Sequence, residues 1–122
     1  MFRILLLKTL LLSFACVALF VAPVRADAPK VEAVKITGFT IAVTISHSDT
    51  GWDDYADGWE VLDAQGARLG FRELMHPHVD EQPFTRSLGG IELPAGTDVI
   101  YIRTRDNVHG WSSETFEVKV PQ

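Results

Sequence analysis

The sequence predicts an all-β fold: a seven-stranded β-sandwich behind an N-terminal export segment. Three observations carry this reading. Beyond residue 26 no stretch keeps a long helical period, whereas several alternate apolar and polar residues with period two, which sets alternate side chains on one face of a strand. Turn-forming residues separate these runs at short intervals. About 96 residues remain after the export segment, enough for one sandwich-sized core and too few for a Rossmann domain, a TIM barrel or two domains. A composition of 47% hydrophobic and 22% charged residues excludes a collagen-like, coiled-coil or wholly disordered chain. A small barrel is the alternative architecture.

Arg3 and Lys8 form a positive start, Leu10 to Ala22 an apolar stretch, and Pro23 ends it. Val24-Arg25-Ala26 then places small residues at the −3 and −1 positions of a cleavage site before Asp27. The pattern predicts a signal peptide over 1–26 and a mature domain over 27–122, exported to the periplasm or the extracellular space. An uncleaved anchor needs about 20 apolar residues and a tolerated Lys8. Lipidation at Cys16 is the weaker reading, because Ser13-Phe14-Ala15 makes a poor lipidation box. Cys16 is the only cysteine, so the mature chain has no disulfide and its core must hold unaided. Loss of Arg3, Lys8 and Arg25 leaves eight basic against sixteen acidic residues, a net charge of −8. Nucleic acid is thereby excluded as a partner, no membrane association is expected after cleavage, and a cation is the better fit.

The strands are predicted near 31–37, 39–46, 58–63, 67–75, 84–92, 98–105 and 113–120. In the second, Phe39, Ile41, Val43 and Ile45 alternate with Thr40, Ala42, Thr44 and Ser46, a β-branched, half-buried pattern. In the third, Trp59 and Val61 point one way and Glu60 the other. Asp63-Ala64-Gln65-Gly66 joins the third strand to the fourth. Gly89-Gly90 bends or bulges the fifth, and Pro94-Ala95-Gly96-Thr97 leads to the sixth. Phe116, Val118 and Val120 alternate with Glu117 and Lys119 in the last.

The C-terminal half carries a more specific signal. Leu93-Pro94-Ala95-Gly96-Thr97, the strand Val99-Ile100-Tyr101-Ile102-Arg103, and then Asn107, Gly110 and Ser112 resemble fibronectin type III domains. The resemblance covers about a third of the mature chain and implies an immunoglobulin-like sandwich used for binding. It departs from the family where the tyrosine after the Gly-Thr corner falls on Val99. The stretch His76-Pro77-His78 ahead of Glu81-Gln82-Pro83-Phe84-Thr85 is also similar to small, uncharacterised exported bacterial proteins. Neither resemblance assigns a ligand.

With the chain running up and down through these strands, loops 47–57, 76–83 and 106–111 share one end of the sandwich. All four histidines fall in or beside them, with Trp52, Tyr55, Trp111 and most of the clustered carboxylates. His76-Pro77-His78 is the sharpest local feature, since residues i and i+2 of an extended chain face the same way and proline stiffens the link. His47 and His109 from the neighbouring loops, with Asp49 or Glu81 as an oxygen ligand, would complete a zinc or copper(II) site. The competing role for the same histidines is neutral hydrogen bonding to loop carbonyls. The acidic loop lacks EF-hand spacing, which weakens calcium.

Trp52, Tyr55 and Trp111 read as candidate ligand-binding aromatics for a sugar ring or a protein surface. Against that, Trp59 and Trp111 suit plugs of the small core. Arg86 is placed to pair with a carboxylate of loop 47–57. No Gly-x-Ser-x-Gly elbow, phosphate-binding loop or catalytic cysteine is present, so no enzymatic activity is expected. The sequence thus predicts an exported binding module with a histidine and carboxylate transition-metal site at one loop end. The alternative is a metal-free module for a protein or polysaccharide that uses the same loops.

Overall fold

A computed structural model describes residues 27–122; the predicted signal peptide, residues 1–26, lies outside them. The described residues form eight strands and no helix: β1 (Lys30–Thr37), β2 (Thr40–Ser46), β3 (Ala56–Leu62), β4 (Arg68–Glu73), β5 (Phe84–Leu88), β6 (Val99–Asp106), β7 (Gly110–Trp111) and β8 (Phe116–Lys119). They assemble into two antiparallel sheets, one in the order β1-β2-β5 and one in the order β4-β3-β6, with β7 and β8 both paired to the far side of β6. Among the described residues no helix is long and apolar enough to cross a membrane.

The alternation read from the sequence decides which faces meet. Ile41, Val43 and Ile45 of β2 and Phe84 of β5 turn inward from one sheet. Trp59 and Val61 of β3 and Ile100 and Ile102 of β6 turn inward from the other, and all belong to one buried cluster. Two sheets over a shared core are consistent with a β-sandwich. Trp59, fully buried, is the largest side chain in that core.

Four expectations need correction. Eight strands replace seven: Gly110–Trp111 pairs with β6 as an additional short strand inside the stretch read as loop 106–111, and the last strand spans Phe116–Lys119 rather than 113–120. Phe39 does not continue the inward row of β2. Gly38 takes φ +56°, a conformation that suits glycine, so the turn occupies residues 38 and 39 and Phe39 is 68% exposed. The fifth strand ends at Leu88 rather than at residue 92, because Gly89-Gly90 turns the chain out of the sheet, with Gly90 at φ +70°. Ile91 then folds back into the core, its amide bonding the Phe39 carbonyl at 2.9 Å. That return needs Gly70 on β4, where a Cβ would overlap the Ile91 Cδ1 methyl and lie 2.8 Å from Leu88 Cδ2. Finally, Trp111 is no core plug. It pairs with Arg105 on the face of its sheet opposite Trp59.

Candidate functional site

The strand directions bring three loops to one end: 47–55 after β2, 74–83 after β4, and 107–109 after β6. The start of the described chain joins them, since Lys30 pairs with Ser46. What holds the loops together is a buried carboxylate. Asp49 Oδ1 accepts from His47 Nδ1 at 2.6 Å and from the Ala56 amide at 3.0 Å, and Oδ2 accepts from the His78 amide at 2.8 Å. One side chain therefore satisfies donors on two loops and the first residue of β3. Gln82 adds a second link, accepting from the His47 amide and donating to the His78 carbonyl. Asn107 ties the third loop to the first: its Oδ1 accepts from the Tyr55 amide, and its Nδ2 donates to the Trp52 carbonyl.

His47 is buried inside this network. Its Nδ1 donates to Asp49, and its Nε2 donates to the Asp27 carbonyl at 2.9 Å. Both ring nitrogens thus face acceptors, and only the imidazolium can donate to both. Burial alone pushes the His47 pKa down. The Asp49 hydrogen bond and charge, the Asp27 carbonyl and the Asp54 charge outweigh it, so the net shift is upward. Asp106, also buried, lies 3.7 Å from His47 Nε2, caps the turn at Val108 and His109 through Oδ1, and sits 3.3 Å from His109 Nδ1.

His78 is the opposite case. Its ring stacks on Phe84 with centroids 3.9 Å apart, and Arg86 Nη2 donates to its Nε2 at 2.8 Å. Arginine can only donate, so His78 accepts at Nε2 and carries its proton on Nδ1. That Nδ1 is buried without a partner among the described residues. Burial first, then the Arg86 charge and the neighbouring His76, hold the His78 pKa below its usual value. Arg86 was expected on a carboxylate of loop 47–57; it is instead committed to His78 and the Thr85 carbonyl.

The candidate metal ligands divide accordingly. His47 and Asp49 are interior members of the loop network, and Asp106 links them toward His109. His76 is exposed, its ring 4.6 Å from that of His78, and Glu81 is exposed. Among the described residues no group of three or more histidine, cysteine, aspartate or glutamate side chains is arranged to hold a metal ion. The tautomer explains part of this. A metal on His78 Nδ1 requires the proton on Nε2, which faces a guanidinium.

The aromatic candidates also separate. Gly51 and Asp54 close a tight hairpin that lifts Trp52 and Asp53 to its tip. Trp52 is 65% exposed and meets half-buried Tyr55 edge-on at 5.5 Å. Met75, Val79 and Val108 are each more than half exposed on the neighbouring loops. Trp111 lies elsewhere, on the outer sheet face, with Phe71 at 5.9 Å and the guanidiniums of Arg68, Arg103 and Arg105 around its ring. Beneath them Glu60, 1% exposed, pairs with both Arg68 and Arg103. His109 and Trp111 also border a cleft of about 1000 Å³ between residues 27–31 and 109–116.

Sequence reasoning missed Asn107 and Gln82 as the loop braces. An asparagine beside a turn and a glutamine before a proline carry no signal of the distant amides they meet.

No protein-family model matches the chain. It is 46% identical over 77 residues, 63% of its length, to a protein of Halomicrobium mukohataei provisionally named a lipoprotein. The match spans 37% of that relative, so the chain corresponds to little more than a third of it.

Proposed function

We propose that this protein is an exported, cell-envelope binding module that engages a macromolecular ligand through its three-loop end. One observation carries the reading. Of the six large apolar side chains exposed among the described residues, four (Trp52, Met75, Val79 and Val108) belong to these three loops. A buried polar network braces the same loops, so the apolar groups stand on a fixed base. Exposed apolar groups gathered in this way mark interaction sites, and tryptophan is a favoured anchor. The lipoprotein relative supports an envelope location. The two-sheet architecture supports the fibronectin-type-III-like reading, in which loops at one end of a sandwich serve recognition.

Photocrosslinking in native envelopes tests the location of the surface. A crosslinking residue at position 52 is expected to give a discrete adduct, while one at position 39, equally exposed at the opposite end, gives none. Adducts from position 39 alone, or from neither position, contradict the reading. Export predicts a mature N-terminus at Asp27, measured by intact mass; a chain retaining Met1 contradicts it.

Zinc or copper(II) binding is the competing proposal, favoured by the facing rings of His76 and His78. It requires Arg86 to leave His78 Nε2. Calorimetric titration with each ion, repeated on a His76→Ala/His78→Ala double variant, decides it. Heat that disappears in the double variant establishes the metal site, and its absence removes that site.

A further inference from the structure

The charge of the three-loop end is as uneven as its polarity. Residues 47–57, 74–83 and 106–111 hold seven carboxylates and no lysine or arginine. Asp49 and Asp106 are consumed inside the network and Asp57, on β3, pairs with Arg105 at 2.8 Å, but Asp53, Asp80 and Glu81 are exposed and Asp54 is 35% exposed. The eight basic residues of the mature chain fall outside these loops. Arg86, adjacent in space, is occupied by His78. The exposed apolar groups at this end therefore stand among anionic groups that have no basic residue within the loops to neutralise them.

We infer that the partner docking on this end is a protein segment carrying lysine or arginine beside apolar side chains. This rests on the loop-end reading above and adds the partner's charge to it. The apolar groups supply the desolvated contact. The acidic groups select a cationic surface, speed its approach and repel an anionic one. A neutral polysaccharide would use Trp52 and Tyr55 but gain nothing from Asp53, Asp80 and Glu81. An anionic membrane surface would be repelled by them.

Binding of three probes to residues 27–122 tests this: a synthetic peptide of alternating lysine and leucine, its glutamate–leucine counterpart, and maltohexaose. The lysine–leucine peptide is expected to bind, with affinity falling about tenfold or more between about 50 and about 500 mM salt as exposed charges are screened. The Asp53→Asn/Asp80→Asn/Glu81→Gln variant should weaken it by a similar factor. A control variant with three exposed carboxylates neutralised away from the loops, Glu92→Gln/Asp98→Asn/Glu117→Gln, should leave it unchanged. Trp52→Ala should weaken it at every salt concentration. The other two probes should not bind. Failure of the lysine–leucine peptide to bind, or equal weakening in the control variant, overturns the inference. Salt-insensitive maltohexaose binding that is lost in Trp52→Ala also overturns it while leaving the loop-end reading intact. Peptide binding that is untouched by both Trp52→Ala and the loop carboxylate variant overturns the loop-end reading itself.

Discussion

Replacing Asp49 with alanine strips three donors of their acceptor in one step. Two of them, the amides of Ala56 and His78, are held in the interior; the third is His47, whose imidazolium also loses its nearest counter-charge. A buried donor left unsatisfied costs about 1–3 kcal/mol, so the two amides alone set a range of about 2–6 kcal/mol. Water entering the vacated space satisfies part of the deficit, which places the expected loss at about 3–4 kcal/mol. For a domain of this size that is a large share of a total stability of about 5–15 kcal/mol. Asp49→Asn keeps one acceptor oxygen but turns an amide donor toward another donor, and an intermediate loss of about 1–2 kcal/mol follows. Asp53, four residues on and exposed at the hairpin tip, is the control, with Asp53→Ala expected within about 0.5 kcal/mol of the parent. Urea unfolding reads these values from the midpoint, provided the slope is unchanged. A loss below about 1 kcal/mol for Asp49→Ala, no larger than typical surface substitutions, would refute the hub.

Three further expectations follow from neighbouring features. His47 and His78 depart from the ordinary value of 6.5 in opposite directions. The His47 contribution is full below pH 6.5 and is lost as pH rises through its raised folded pKa; the His78 contribution is full above pH 6.5 and is lost as pH falls through its lowered one. Urea midpoints across this range should therefore lose part of their fall on the acid side in His78→Phe and part of their fall on the alkaline side in His47→Asn; parallel profiles for parent and variants would contradict the assignment. Glu60→Ala leaves Arg68 and Arg103 without their shared carboxylate, and because both guanidiniums reach solvent the expected destabilisation is about 2–3 kcal/mol, below that of a fully buried pair; a thermally neutral variant would show that the pairing contributes nothing. Gly70→Ala forces a methyl against Ile91 and Leu88 and is expected to cost about 1–3 kcal/mol, measured in the same unfolding assay, with partial recovery in Gly70→Ala/Ile91→Val.

The fold was legible wherever burial imposes a period. β2 and β6 alternate strictly, so Ile41, Val43, Ile45, Ile100 and Ile102 identified themselves as core, and Trp59 did so against Glu60. The pattern misled at its ends. Phe39 extends the apolar row by one step, but the backbone at Gly38 had already turned, and a residue in a turn obeys no strand period. Glu60 was correctly set on the outer face, yet it is buried there by long side chains from β4 and β6. Such cover depends on strand neighbours that one sequence does not specify. The site was legible as a gathering of histidines, carboxylates and aromatics at one end. It was not legible what each ring nitrogen faces. His47 and His78 look alike in the sequence, but one donates from both nitrogens and the other accepts from an arginine. Those partners come from residues 27, 49 and 86, which only the closed structure brings together.

Native-state hydrogen exchange at individual amides tests most directly whether the three loops form one braced base for an exposed apolar surface. The amides of Ala56 and His78, which donate to Asp49, and of Tyr55, which donates to Asn107, are predicted to exchange slowly. For Ala56 and His78 the rates should approach those of the β2 and β6 amides, while Trp52 and Asp53 at the hairpin tip exchange fast. In Asp49→Ala, which removes both acceptor oxygens, the protection of Ala56 and His78 should fall together, leaving the strand amides protected. Rapid exchange at Ala56 and His78 in the parent protein, or loss at one without the other in the variant, would contradict a single carboxylate holding these loops in place.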